Sequence, residues 1–407
     1  MAATMAESAA PHQRLAEIQQ ALRETPGLDG WLFYDFRGSD PLAYRVLRLD
    51  PTRHVTRRWY YWIPSEGTPV KLLHRIEPHL LDELPGDTMW YVSWDEQRAH
   101  LKRIVQGMKR IVMQYSPMNA IPYIARVDAG TIDLIRSYGV EVATSADLVQ
   151  RFEAVWTDRQ LASHKYAAAR LRRIVDEAFT HIAAMVATRK PLTEHGLQQL
   201  ILARITAQGL TTATPPIAAV NAHSADPHYG PPAKGSARIG RGDLVLIDLW
   251  AKKPTAGSVY ADITWTGYVG KDVPPKQREV FSIVRNARDA ALNFVRSRIT
   301  AGDLPCGWEV DEVCRKVIKD AGYGDRFLHR TGHSIGEEVH GNGANIDSLE
   351  TQDSRRLMPR TCFSIEPGIY LPGQFGIRSE LDVYLSDREA MVFGQPLQTE
   401  IVAILNG

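Results

Sequence analysis

Asp248 and Asp262 stand in two apolar runs, LVLIDLWA and VYADITWT, separated by a loop rich in Lys, Pro and Gly. Strand alternation puts Leu244, Leu246 and Asp248 on one face of the first run, and Asp262 and Thr264 on one face of the second. An ionised carboxylate among Leu, Ile and Val costs several kcal/mol unless something compensates it. Either aspartate alone serves as a strand-end cap to a turn. Two of them in neighbouring strands ask for a cation.

Three later stretches offer partners for that cation. HRTGHSIGEEVHG, residues 329–341, holds His329, His333 and His340 among Gly332, Gly336 and Gly341. The glycines argue against a regular helix, and the HExxH pattern of helical zinc sites is absent. One histidine here would be an ordinary core or surface residue; three in twelve positions suit ligation. In FSIEPGIY, residues 363–370, Glu366 follows an apolar strand and precedes Pro367, so its backbone is extended; capping a turn is the alternative role. In GIRSELDVYL, residues 376–385, alternation places Arg378, Glu380 and Asp382 on one strand face. A salt bridge within that segment is the competing explanation.

Together Asp248, Asp262, His333, Glu366 and Glu380 make four carboxylates and one imidazole, a set suited to a pair of divalent ions rather than one structural zinc. Four negative charges against two dications sum to zero. Without ions the same acids repel one another, and some keep their protons to raised pH. Two metals ~3.5–4 Å apart share a water, lower its pKa and polarise a carbonyl.

The stretches IDLWAKKPTAGSVYADITWT, TGHSIGEEVH, SIEPGIY and GIRSELD resemble, in order, the metal-site motifs of the pita-bread metallopeptidases, and within them the Xaa-Pro peptidases, prolidase and aminopeptidase P. The similarity spans about residues 158–407; residues 1–157 resemble the creatinase-type N-terminal domain mainly by size and position. The resemblance implies an α+β pita-bread catalytic domain, an antiparallel sheet covered by helices, behind a smaller α/β domain. It implies that Asp248 chelates one metal, that Asp262 and Glu380 bridge both, and that His333 and Glu366 complete the second. The ions would be Mn²⁺, with Co²⁺ or Zn²⁺ as alternatives. A bridging hydroxide would attack the bond before proline, with Glu366 taking or relaying its proton. By the same resemblance His340 stabilises the oxyanion, His228 is the other active-site histidine, and His329 and Arg378 hold the substrate's carboxylate. Thr264 would orient Asp262. The implied substrate is an Xaa-Pro dipeptide, with longer Xaa-Pro peptides as the aminopeptidase alternative, and the implied assembly is a homodimer. A metal-free creatinase-like hydrolase or a non-catalytic binding protein of this fold would lack the ligands that are all present here.

The chain departs from the family pattern where the first aspartate is followed by Trp250 instead of a glycine two residues on. Extra residues in KKPTAG lengthen the Asp248–Asp262 spacing, Trp265 follows the DIT triplet in place of an arginine, and Tyr260 is shifted towards Asp262. These changes bear on the shape of the substrate site.

The elements that must position these residues follow from periodicity. Residues 12–26 predict an amphipathic helix, and 31–36, 59–63, 69–73, 89–92, 110–114 and 140–144 predict strands, with helices over 96–108 and 129–137. Five of nine tryptophans fall in the first hundred residues and are expected in the core. A long helix begins at 158, with Leu171, Ile174, Ala178 and Ile182 on one stripe. Further helices cover 197–207, 275–298 and 310–321, and strands dominate after Cys362. At 407 residues two domains are expected, divided near residue 157. A net charge of +1 excludes a nucleic-acid footprint, and no apolar run is long enough to cross a membrane. Three cysteines without CxxC spacing, and no secretory leader at the N-terminus, predict a cytosolic protein.

Overall fold

The computed structural model describes residues 2–405, in two compact units, Met1–Glu153 and Ala154–Gly407. The first unit runs α1 (Ala2–Glu24), β1 (Gly30–Asp35), α2 (Pro41–Leu47), β2 (Trp59–Pro64), β3 (Val70–His74), β4 (Asp87–Tyr91), α3 (Trp94–Ile104), β5 (Arg110–Met113), α4 (Ala129–Arg136), β6 (Glu141–Thr144) and α5 (Ala146–Glu153). Its six strands form one mixed sheet in the order β4-β3-β2-β1-β5-β6. Period-2 alternation in β1 sends Trp31 and Phe33 to a core shared with α1, α2 and α5, and Leu32 and Tyr34 to a second core with α3 and α4. Both faces are therefore covered, as an α/β sheet requires. Trp31, Trp59 and Trp62 lie in these cores, but Trp90 and Trp94 do not, being 47% and 62% exposed. Trp90 belongs to the edge strand β4, and Trp94 opens α3 behind the Ser93–Glu96 capping box.

The second unit continues with α6 (Asp158–Ala187), α7 (Glu194–Ala207), β7 (Ile217–Val220), β8 (Leu244–Ala251), β9 (Ala261–Tyr268), α8 (Pro275–Thr300), α9 (Gly307–Asp320), β10 (Ser334–Ile335), β11 (Cys362–Ile365), β12 (Gly368–Leu371), β13 (Phe375–Arg378), β14 (Leu381–Leu385), β15 (Ala390–Val392) and β16 (Val402–Ala403). A capping box of Thr157 and Gln160 starts α6, and Gly209 follows α7 at φ +70°, a left-handed conformation that suits glycine. One sheet has the order β16-β9-β8-β7, the other β10-β11-β14-β15, and β12 pairs with β13 as a separate hairpin. All pairings in this unit are antiparallel except β16 with β9.

The odd-numbered residues of the central strands face helices. Val245, Ile247, Leu249 and Ile263 pack with α6 and α7. Phe363, Ile365, Leu381 and Val383 pack with α8 and α9. The even-numbered residues point the other way: Asp248 and Trp250 on β8, Asp262 and Thr264 on β9, Ser364 on β11, Asp382 on β14. Two sheets thus bury apolar faces under helices and turn polar faces to one another. Hydrogen bonds join those faces, Asp262 N–H to Asp382 Oδ2 at 2.8 Å and Thr264 Oγ1 to Glu380 Oε2 at 2.7 Å.

Several boundaries differ from the sequence expectation, two of them beside the acids. The strand holding Asp262 begins at Ala261 rather than 259 and runs on to Tyr268. The single strand expected over 376–385 is two strands in different sheets, broken at Ser379 and Glu380. The break is held from below, where the buried Arg288 donates to Ser379 Oγ at 2.7 Å, a contact that alternation alone does not announce.

Candidate metal centre

The β8/β9 ladder sets Asp248 opposite Thr264 and Trp250 opposite Asp262, so four side chains share one face at fixed spacing. Between β10 and β11, Gly332 allows close approach: a Cβ there would sit 1.9 Å from the Ser364 carbonyl oxygen. His333 follows directly. Its backbone N–H donates to Ser364 Oγ at 3.0 Å, and that hydroxyl donates to Glu366 Oε1 at 3.1 Å.

At the centre Asp262, His333 and Glu380 offer ligand atoms that all lie within 4.8 Å of one another. His333 Nε2 is 3.9 Å from Asp262 Oδ2 and 3.3 Å from Glu366 Oε1. The other ring nitrogen, Nδ1, lies 3.2 Å from the Ser334 carbonyl oxygen, which fixes the proton there and leaves the Nε2 lone pair facing the acids. Asp248 lies at the margin, where Arg378 Nη2 donates to its Oδ2. Arg378 also donates through Nε to Thr264 Oγ1 at 3.1 Å and through Nη1 to Tyr370 Oη at 3.1 Å.

Asp248 Oδ1, Asp262 Oδ1 and Glu380 Oε1 are buried and accept no hydrogen bond. Orphaned carboxylate oxygens on neighbouring acids are what a cation site requires and what a hydrogen-bonded core avoids. Burial raises the pKa of all four acids, with the neighbouring carboxylates adding to it at Asp262 and Glu380, while Arg378 pulls Asp248 and Glu366 part of the way back. Burial pushes His333 down to about 3, assisted by Arg330, so the imidazole is neutral, the form that ligates. The residues present fit a divalent pair: hard oxygen donors in excess, one neutral nitrogen, and clustered carboxylates that two dications would neutralise.

Above this cluster opens a cleft of about 320 Å³. Its wall includes every residue singled out in the sequence as ligand or substrate contact: Asp248, Asp262, His333, Glu366, Glu380, His340, His228, His329 and Arg378. The His340 ring packs edge-on against His333 with centroids 4.3 Å apart, and burial lowers its pKa to about 4. His329 is tied at both nitrogens, Nδ1 to the Arg330 carbonyl and Nε2 to Tyr370 Oη, each at 2.7 Å, and burial with the nearby Arg378 lowers it to about 3.

A family model, metallopeptidase family M24, matches residues 166–387. The chain belongs to the M24 metallopeptidases. Among its relatives it is 34% identical over 214 residues to a Xaa-Pro dipeptidase of Lactobacillus delbrueckii subsp. lactis, covering 52% of this chain and 54% of that one, so the match spans about half of that relative's length. It is 25% identical over 348 residues to the probable dipeptidase PepE of Mycobacterium tuberculosis, covering 84% of each. Among solved structures, the dipeptidase PepE of Mycobacterium ulcerans aligns with TM-score 0.70 at 24% identity over 98% of both chains. A prolidase of Thermococcus sibiricus aligns at 0.62 and 23%, over 97% of this chain and 99% of that one. The α+β pita-bread architecture read from the motifs is the observed one.

The structure also places residues in the cleft and behind its wall that the motif reading did not assign there. Arg330 and Glu350 line the wall, with the Arg330 N–H donating to Glu350 Oε1 at 3.1 Å. Tyr370 is fully buried and links His329 to Arg378. Glu194 is buried at the start of α7, accepting from Val220 N, His223 Nδ1 and Tyr229 Oη at 2.7–2.8 Å, and so ties down the loop that carries His228. None of these has a local signature. Tyr370 reads as an ordinary strand aromatic, and Glu194 as a first-turn acid favoured by the helix dipole.

Proposed function

We propose that this enzyme hydrolyses the peptide bond preceding proline, acting on Xaa-Pro dipeptides through a pair of divalent ions held by Asp248, Asp262, His333, Glu366 and Glu380, with Mn²⁺ as the native metal. The observation that carries this reading is the cluster of acids with orphaned oxygens at the floor of the cleft. When bound, the ions supply Lewis acidity, polarising the scissile carbonyl and making water a nucleophile at neutral pH.

The chain's own groups do the rest. Glu366, its pKa raised by burial, takes the proton of the attacking water and returns it to the proline nitrogen as the C–N bond breaks. His340, neutral at working pH, donates to the developing oxyanion. His228 lines the same wall and contacts the substrate. Thr264, expected to orient Asp262, instead bonds Glu380 at 2.7 Å and shares its hydroxyl with Arg378.

Two features support the dipeptide. The cleft volume lies at the low end for small-molecule sites, and Arg378 and Arg330 put positive charge in its wall for a free carboxylate. Arg378 acts there beside His329, which holds Tyr370 in place. The relatives point the same way, one a Xaa-Pro dipeptidase and the other a probable dipeptidase. No disulfide joins Cys306, Cys314 and Cys362, which fits a reducing, cytosolic setting, and the family resemblance supports a homodimer. Among the described residues no helix is long and apolar enough to cross a membrane. The test is hydrolysis of an Ala-Pro dipeptide against an Ala-Pro-Ala tripeptide, each with Mn²⁺ and with a chelator. Metal-dependent turnover of the dipeptide is expected. Turnover of the tripeptide alone would move the enzyme to the aminopeptidase class.

A further inference from the structure

Asp382 is fully enclosed, yet it belongs neither to the ligand set nor to the cleft wall. Its Oδ2 accepts the backbone N–H of Asp262 at 2.8 Å, across the gap between the two sheets. It lies on β14 two residues beyond Glu380, and the β11/β14 ladder sets it opposite Ser364, the residue whose hydroxyl receives His333 N–H. Its second oxygen, Oδ1, is buried without a hydrogen-bond partner. Behind it stands His164 of α6, wholly buried, with Nδ1 2.8 Å from the Tyr260 carbonyl and Nε2 4.0 Å from Asp382 Oδ2. The Tyr260 carbonyl can only accept, so Nδ1 carries the proton. His164 therefore holds the chain two residues before Asp262 while Asp382 holds Asp262 itself.

We propose that Asp382 is a positioning residue for the metal centre: by accepting the Asp262 N–H it ties β9 to β14 at the level of the cluster and sets the separation of Asp262 and Glu380. Two other side-chain links join β9 to the end of β13 and the break before β14. Thr264 reaches Glu380 directly, and Thr266 Oγ1 donates to the Arg378 carbonyl at 3.3 Å. Neither acts on the backbone of a ligand-bearing residue. Asp262 follows a loop, at the second residue of its strand, where the ladder to β8 is the other main restraint on its main chain. A carboxylate gripping that N–H fixes the side chain's point of departure, and small shifts there carry directly to an oxygen one bond beyond Cγ. Partners that orient metal ligands typically change affinity by about 10–100-fold when lost.

The inference rests on the metal-centre reading, and the experiment separates the two. Metal-free wild-type protein, Asp382→Ala and Asp382→Asn are titrated with MnCl₂ by calorimetry, with circular dichroism and thermal melting of each metal-free form alongside. If wild type binds no Mn²⁺, the metal-centre reading itself fails. Given wild-type binding, Asp382→Ala is expected to fold and bind Mn²⁺ about 10–100-fold more weakly. Asp382→Asn, whose amide oxygen still accepts the Asp262 N–H, should stay within about 3-fold of wild type. Unchanged affinity in the Ala variant overturns the proposal. So does an Asn variant as weak as Ala, which would assign the effect to charge. If Asp382→Ala does not fold, Asp382→Ser takes its place, being one bond too short to reach the amide. Failure of both to fold assigns Asp382 to the core and also overturns the proposal.

Discussion

Asp311, Asp347 and Asp353 are as deeply buried as Asp248, Asp262 and Glu380, in the same unit of the chain, but their surroundings differ in kind. Asp347 accepts from the backbone of Leu349, Glu350 and Thr351 and from the Thr351 hydroxyl. Asp353 is gripped by Arg355 through Nε at 2.9 Å and Nη2 at 2.6 Å and accepts Asn345 N–H. Asp311 holds Arg315 by two bonds of 2.8 Å and also accepts Thr331 N–H. Each of these acids has its donors and no orphaned oxygen. Each of the other three keeps one oxygen with none. Burial alone therefore does not mark a candidate ligand; orphaned oxygens on several buried acids gathered around one point do, because one cation site compensates them together.

The sharpest break between the two groups is catalytic. Glu366→Gln keeps shape and removes the proton acceptor, so kcat on a dipeptide should fall by about 10³-fold with circular dichroism unchanged; a variant within tenfold of wild type would remove Glu366 from proton transfer. Next, Asp353→Ala strands the buried Arg355 and should cost about 3–5 kcal/mol of stability, read by urea unfolding, while Mn²⁺ affinity in the folded protein stays put. Asp262→Asn should do the reverse, abolishing Mn²⁺ binding and raising the melting temperature of the metal-free protein. Like behaviour of the two variants would mean that the orphaned and the satisfied acids do not differ in kind.

The pH dependence follows from the raised pKa values of Asp248, Asp262 and Glu380. Above about pH 4 the unfolded chain has lost these protons while the folded, metal-free chain keeps them. The folded state then binds more protons, so its stability falls as pH rises through the raised values. Bound metal displaces the protons and should flatten that slope, visible as a larger Mn²⁺-induced rise in melting temperature at pH 7.5 than at pH 5. The smallest effect expected is at Thr264→Val, which removes the hydrogen bond to Glu380 and the acceptor of Arg378 Nε at nearly constant volume. Mn²⁺ affinity should drop by about tenfold, and an unchanged value would make Thr264 a packing residue only.

The types of the cluster residues, their order and the strand period that aims Asp248 and Asp262 away from the helices are all local, and so they are legible along the chain. Strand alternation needs only neighbours at i and i+2, and the helix starts at Thr157 and Ser93 need only a residue three positions on. The gathering of five distant side chains was suggested by their chemistry and by family resemblance, but the distances between them depend on which strands pair. Asp382, Tyr370 and Glu194 show why local pattern stops there. Asp353 finds its Arg355 two positions on, whereas Asp382, Tyr370 and Glu194 acquire their roles from partners 120, 41 and 26 positions away. Sequence by itself determined which atoms are available and which strand face Asp248 and Asp262 occupy, because covalent geometry fixes the alternation within an unbroken strand. Only the tertiary structure decided which buried oxygens are left without a donor, because that depends on every segment that could have supplied one.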